Sequence, residues 1–128
     1  MNTERKMPSI RIDTIHNRIY IHKSTLDAVG NPKFIHIGFQ PERKNLMILG
    51  KWIDESKAVR VCVNKNGVFC ISSKALIDGL RIMGSCLKRD GSYYLTGYPF
   101  TCAPAISFPI HQLSDIQEKI CNETDTVY

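Results

Sequence analysis

The chain carries one arrangement twice. Ile21-His22-Lys23-Ser24-Thr25-Leu26 aligns with Ile71-Ser72-Ser73-Lys74-Ala75-Leu76 at a constant offset of fifty residues, which also sets Asn17 on Gly67 and Ile19 on Phe69. The match is one of pattern more than of letters: turn, strand, helix and hairpin recur in the same order. Self-similarity at a fixed period constrains architecture strongly, because each repeat is a supersecondary unit that needs a neighbour to bury its apolar face. One copy is about forty residues, too few to bury its strand faces alone. Two copies can close on each other into one compact barrel, and closure removes exposed strand edges.

In the first copy, Ile10-Arg11-Ile12 and Arg18-Ile19-Tyr20-Ile21 alternate apolar and polar, the period of half-buried strands, with a turn over Thr14 to Asn17. Lys23 to Val29 predicts a short helix: Leu26 and Val29 share a face, and Ser24 and Asp27 have capping-box spacing. Gly30-Asn31-Pro32 stops it, since Gly suits a left-handed cap and Pro cannot continue a helix. Phe34 to Phe39 and Leu46 to Leu49, around a polar turn, read as a hairpin.

In the second copy, Val59, Val61 and Val63 alternate with Arg60 and Cys62, Asn64 to Gly67 is a turn, and Val68 to Ile71 is a strand. Ser72 or Ser73 caps a helix over Lys74 to Met83, with Leu76 and Leu80 on one face and Gly84 ending it. Cys86-Leu87, the turn Arg89-Asp90-Gly91 and Tyr93-Tyr94-Leu95 predict a tighter hairpin closing at Gly97. Beyond it Ile106, Phe108 and Ile110 alternate, and Pro109 marks an edge strand or a strand end. Leu113, Ile116 and Ile120 recur at helical spacing in the polar tail. The expected organisation is one domain over 1–128: a first unit at 9–50, a linker at 51–58, a second unit at 59–100 and an extension at 101–128.

Apolar residues make up 43% of the chain, enough for a core, and no apolar run is long enough to span a membrane. The polar start lacks the apolar stretch of a secretory signal, so a cytoplasmic location is expected. The net charge is +5, from 17 basic and 12 acidic residues spread along the chain without a block of like charge. Such a balance permits nucleic-acid binding without requiring it. The five cysteines include no C-x-x-C pair, so metal ligation is not expected, and reduced thiols acting as small hydrophobes are. His16, His22, His36 and His111 have no acidic partner at a recurring catalytic spacing, and no glycine-rich phosphate loop is present. The chain reads as a non-enzyme that needs no cofactor. Trp52, Tyr93, Tyr94, Tyr98 and Phe100 suit either a stacking surface or, more commonly, the core and rim of a barrel.

The segment from Asn17 to Gly30 resembles the signature of AbrB-like, swapped-hairpin transcription factors: Gly-Arg, two apolar residues, Ile-Pro, a short helix with Leu, then Leu-Gly and a hairpin. Arg18, Ile21, Val29 and Gly30 fall on matching places, and the hairpin Phe34–Leu49 follows in order. The second copy resembles a more diverged version, over about 59–97, so the two span most of the chain. Asn17 replaces the family glycine, though Asn also tolerates a left-handed turn. His22 and Ser72 stand where Pro is usual, Val68 where the second copy's Arg belongs, and Leu26 at a place often Arg. The resemblance implies a mainly β fold with short helices, in which tandem strand–helix–hairpin units close into a pseudo-dimeric swapped-hairpin barrel.

The resemblance also implies binding to double-stranded DNA through basic residues near the first turn and strand. Candidates are Arg11, Arg18 and Lys23 in the first copy, with Arg60, Lys65 and Lys74 as rough counterparts. Such groups neutralise phosphates, and Arg also reads guanine edges; seventeen basic residues also suit a merely solvated face. A regulator of transcription is the favoured reading, with homodimerisation left open. The alternative is a protein-binding module, antitoxin-like or a phage-encoded inhibitor, that keeps the barrel without DNA; Val68 favours it, whereas Arg18 and the positive charge favour DNA.

Overall fold

A computed structural model describes residues 7–83 and 90–110. Among the described residues, nine strands and two helices follow in order: β1 (Ser9–Asp13), β2 (Arg18–Ile21), α1 (Lys23–Ala28), β3 (Phe34–Gln40), β4 (Asn45–Lys51), β5 (Val59–Arg60), β6 (Phe69–Ser72), α2 (Lys74–Met83), β7 (Ser92–Thr96), β8 (Tyr98–Pro99) and β9 (Ala105–Pro109). The fold is mainly β. A four-stranded antiparallel sheet has the order β6-β2-β1-β7, and a five-stranded antiparallel sheet the order β5-β3-β4-β9-β8.

The alternation read from the sequence becomes two faces. In β1 and β2, Ile10, Ile12, Ile19 and Ile21 are fully buried, while Arg11, Arg18 and Tyr20 occupy the intervening positions. Leu46, Ile48, Ile106 and Phe108 line the inner face of the other sheet and join the same core cluster, which Leu26, Ile77 and Leu80 of the two helices complete. Fully burying one such side chain is worth about 1.5–3 kcal/mol. Gly97 is where the chain leaves β7 beneath β9: a Cβ there would stand 2.5 Å from Ile106 Cγ2 and 2.6 Å from Phe108 Cε1, so only glycine fits.

Both tight turns before the second strand of each half use the left-handed region: Asn17 at φ 55° and Gly67 at φ 75°. Asn64 organises the latter turn, its Oδ1 accepting from the backbone N–H of Asn66 at 2.8 Å and of Val68 at 3.0 Å. Helix α1 ends through Gly30 and Asn31, both at positive φ, with Asn31 N–H donating to Leu26 O at 2.8 Å. Ser73 caps α2, accepting from Leu76 N–H at 3.2 Å.

Several expectations change. The capping box of Ser24 and Asp27 does not form: His22 stands before α1, and its ring Nδ1 pairs with Ser9 Oγ at 3.0 Å instead. The strand expected through Val59, Val61 and Val63 is shorter. Only Val59–Arg60 is a strand, and it joins β3 rather than β6. The segment to Val63 passes from one sheet to the other, so Val59 and Val63 stay largely exposed and one isolated bridge, Val63 to Phe69, remains. Residues 105–109 sit inside the larger sheet between β4 and β8, and Pro109 is the strand end. Cys62, Cys70 and Cys102 are free thiols as expected, but exposed rather than packed as small hydrophobes. The expected strand at Cys86-Leu87 and the C-terminal helix through Leu113, Ile116 and Ile120 lie outside the described residues.

Candidate nucleic-acid interface

The outer face of the four-stranded sheet gathers the chemistry. Because β1 pairs with β2 in the register Arg11↔Tyr20 and with β7 in the register Arg11↔Tyr94, and β2 pairs with β6 as Tyr20↔Cys70, one cross-strand row reads Cys70, Tyr20, Arg11, Tyr94. The Arg11 guanidinium carbon lies over the Tyr20 ring, 4.1 Å from its centroid, and Nη1 donates to Ser92 Oγ at 3.4 Å. Tyr94 is 58% exposed at the end of the row. The next row runs Ser72, Arg18, Asp13, Ser92.

Arg18 is exposed, and its guanidinium is held above the ordinary arginine value, chiefly by its hydrogen bond to the Tyr20 hydroxyl and then by charge interaction with Tyr20 and Cys70. Tyr20 thus neighbours both arginines: its ring lies against Arg11, and Arg18 precedes it by two residues on the same face of β2. Among the described strand residues of this face, Asp13 is the one carboxylate. It is 7% exposed and occupied: its oxygens accept from the N–H groups of Ile15 and His16 and pair with His16 Nδ1 at 2.8 Å. That His16 side-chain bond is the main reason its carboxyl sits below the usual carboxylate value, against an opposing push from burial. The accessible part of the face is thus cationic and aromatic.

The structure brings the six sequence candidates together only in part. Arg11 and Arg18 share this face. Lys23 opens α1, and its side chain lies against the Asn64–Gly67 turn, 3.5 Å from where a Gly67 Cβ would stand, so Lys23 and Lys65 flank one end of the sheet. Lys74 opens α2 just after Ser73, whose N–H donates to Asn17 O at 2.9 Å, which puts it by the other turn. Its ammonium makes an exposed 3.8 Å pair with Asp78, an arrangement worth little in water. Arg60 departs: it lies on β5 in the other sheet, because the Val59–Arg60 strand pairs with Phe34 and Ile35.

A groove of about 910 Å³ adjoins this face, lined by Pro8, Ser9, His22, Lys23, Val68 and Tyr94 among others. Among the described residues no group of three His, Cys, Asp or Glu side chains is placed to hold a metal ion, and no helix is long and apolar enough to cross a membrane.

Sequence reasoning did not single out Tyr20 or Ser92. Alternation already put Tyr20 on the face of Arg18, but its contact with Arg11 depends on the register set by the Thr14–Asn17 turn. Tyr94 was among the stacking candidates, and the pleat separates it from its neighbour: Tyr93 is buried, Tyr94 is not. Trp52, Tyr98 and Phe100 are exposed as well, at 48%, 53% and 44%, on segments outside this sheet.

The fold and face together define a mainly β domain of two antiparallel sheets with a cationic, tyrosine-bearing surface. No family model, no curated protein and no solved structure matches the chain.

Proposed function

We propose that the chain is a DNA-binding transcriptional regulator: two tandem, diverged AbrB-like units forming a pseudo-dimeric swapped-hairpin barrel, with the outer face of the four-stranded sheet against duplex DNA. The pairing of β2 with β6 carries this reading. Tyr20 stands opposite Cys70, the residue fifty positions later, while Ile19 faces Ile71 and Ile21 faces Phe69. Under the repeat, Ile19 corresponds to Phe69 and Ile21 to Ile71, so Tyr20 faces its own counterpart while Ile19 and Ile21 each face the other's, as a local two-fold requires.

The outer strands tie the two halves together as well: β7 and β5, both from the second half, pair with β1 and β3 of the first. The third support is chemical. Arg11 and Arg18 stand on one open face whose carboxylate, Asp13, is already engaged, and Lys23 and Lys65 extend the positive charge at its end. Cations so placed neutralise phosphates and release counterions.

The second reading, a protein-binding module, is favoured by one feature. Val68 occupies the place of Arg18 in the second half and lines the groove beside Asp27, Lys23 and Tyr94, so the second half has an apolar side chain where the first has its arginine. Fluorescence anisotropy with a random-sequence duplex separates the two. DNA binding falls steeply between about 50 and 200 mM salt, with a slope close to the number of phosphates neutralised, and Arg18→Ala weakens it. Absence of duplex binding at the lower salt overturns the regulator reading.

A further inference from the structure

We infer that Arg11 is the base-reading residue of this face, selecting guanine, while Arg18, Lys23 and Lys65 serve as phosphate contacts. The inference rests on the DNA-binding reading and goes beyond it by dividing the basic residues into two roles.

The division follows from position and restraint. Arg11 sits on β1, an interior strand of the sheet, and so at the middle of the surface a duplex would meet. Its guanidinium is held from two sides, by the Tyr20 ring at 4.1 Å beneath its carbon and by Ser92 Oγ at 3.4 Å from Nη1. Stacking occupies a face of the guanidinium and none of its N–H groups. Of the five donors an arginine carries, the Ser92 bond takes one and leaves a planar fork. A planar pair of donors held in fixed orientation matches the O6 and N7 acceptors of guanine in the major groove. A flexible cation pays more conformational entropy for the same contact.

The other cations lack this restraint. Arg18 is at the first residue of β2 and exposed. Lys23 and Lys65 are exposed ammonium groups at the sheet's end, next to the Gly67 turn. Point charges at the rim suit phosphates, which position a protein on DNA without carrying sequence.

The test is selection from a random duplex pool followed by sequencing, with bulk affinity and salt slope measured on the unselected pool. Wild type is expected to enrich a guanine-containing motif. Arg11→Lys keeps the charge but replaces the planar fork by a point charge on a flexible stem, and is expected to lower the preference at one guanine about tenfold or more. Tyr20→Leu, which removes the stack and keeps Arg11, is expected to weaken the same preference, and it serves should the lysine variant fail to fold. Arg18→Ala is expected to do the reverse, reducing the slope by about one with the motif retained. An unchanged motif in a folded Arg11→Lys or Tyr20→Leu protein overturns the inference while leaving DNA binding in place, as does wild-type binding that enriches no motif. Absence of any duplex binding by wild type overturns both.

Discussion

Tyr20 and Cys70 stand directly opposite each other in the β2–β6 pair, one from each half of the chain. With β1 paired to β7 and β3 to β5 as well, backbone hydrogen bonds cross between the halves in both sheets. The inner faces of β2 and β6 bury Ile19, Ile21 and Phe69 in a single cluster.

One consequence concerns cooperativity. A chain cut after Lys57 leaves β2 without β6 and β1 without β7, so residues 1–57 alone are expected to show no cooperative thermal transition. Mixing with residues 58–128 should restore one. Circular dichroism of each fragment and of the mixture checks this, and a sharp transition in the isolated first fragment would contradict it.

Acid should destabilise the protein through Asp13. Its folded-state carboxyl lies below the ordinary value of 3.8, mainly through the His16 side-chain bond. A depressed carboxylate contributes stability that is fully present above the unfolded value, and that is lost as pH falls through the lower folded one. The acid limb of a stability profile, from near pH 4 downward, should therefore flatten in Asp13→Asn. Asp13→Ala also leaves the Ile15 and His16 N–H groups without their acceptor, an expected loss of roughly 1–2 kcal/mol at neutral pH by urea unfolding.

Core and surface isoleucines should separate by magnitude. Ile48 is fully buried in the centre of the larger sheet, whereas Ile82 on α2 is 86% exposed. Ile48→Ala is expected to cost about 2–5 kcal/mol. Ile82→Ala should stay within about 0.5 kcal/mol. Equal shifts in the urea midpoint would show that Ile82 is covered in solution.

Gly97→Ala tests the close approach of the chain to β9. The new methyl would meet Ile106 and Phe108 at 2.5–2.6 Å, and both are fully buried, so neither can swing aside freely. An overpacking cost of about 1–3 kcal/mol is expected, with loss of near-ultraviolet signal around the β7–β9 contact. Gly91→Ala is the control, since a Cβ there meets nothing within 4 Å.

Much of the fold was legible locally. Alternation located β1, β2 and β3, the apolar run Leu46 to Leu49 after a polar turn located β4, and Gly30-Asn31-Pro32 ended α1 where the left-handed residues sit. Helix α2 runs over Lys74–Met83 as its Leu76/Leu80 spacing predicted. Reading failed where partners are distant. Nothing in Val59-Arg60 says that this pair will join β3, because pairing depends on where the chain turns between sheets. The site was half legible for the same reason: Arg11 and Arg18 alternate outward by pleat alone, while Arg60's departure to the other sheet follows from that pairing.

Residue pattern by itself determined the periods: which side chains alternate, where Gly, Asn and Pro break the chain, and that Arg18 and Tyr20 share a face. Those are nearest-neighbour effects, set by backbone sterics and by the pleat. Only the tertiary structure decided the partners. Register across β1, β2, β6 and β7 is a long-range choice made by burying the whole apolar set at once, since a slip of one residue would turn every isoleucine outward. That choice lays Arg11 over Tyr20 and sets Tyr20 against Cys70.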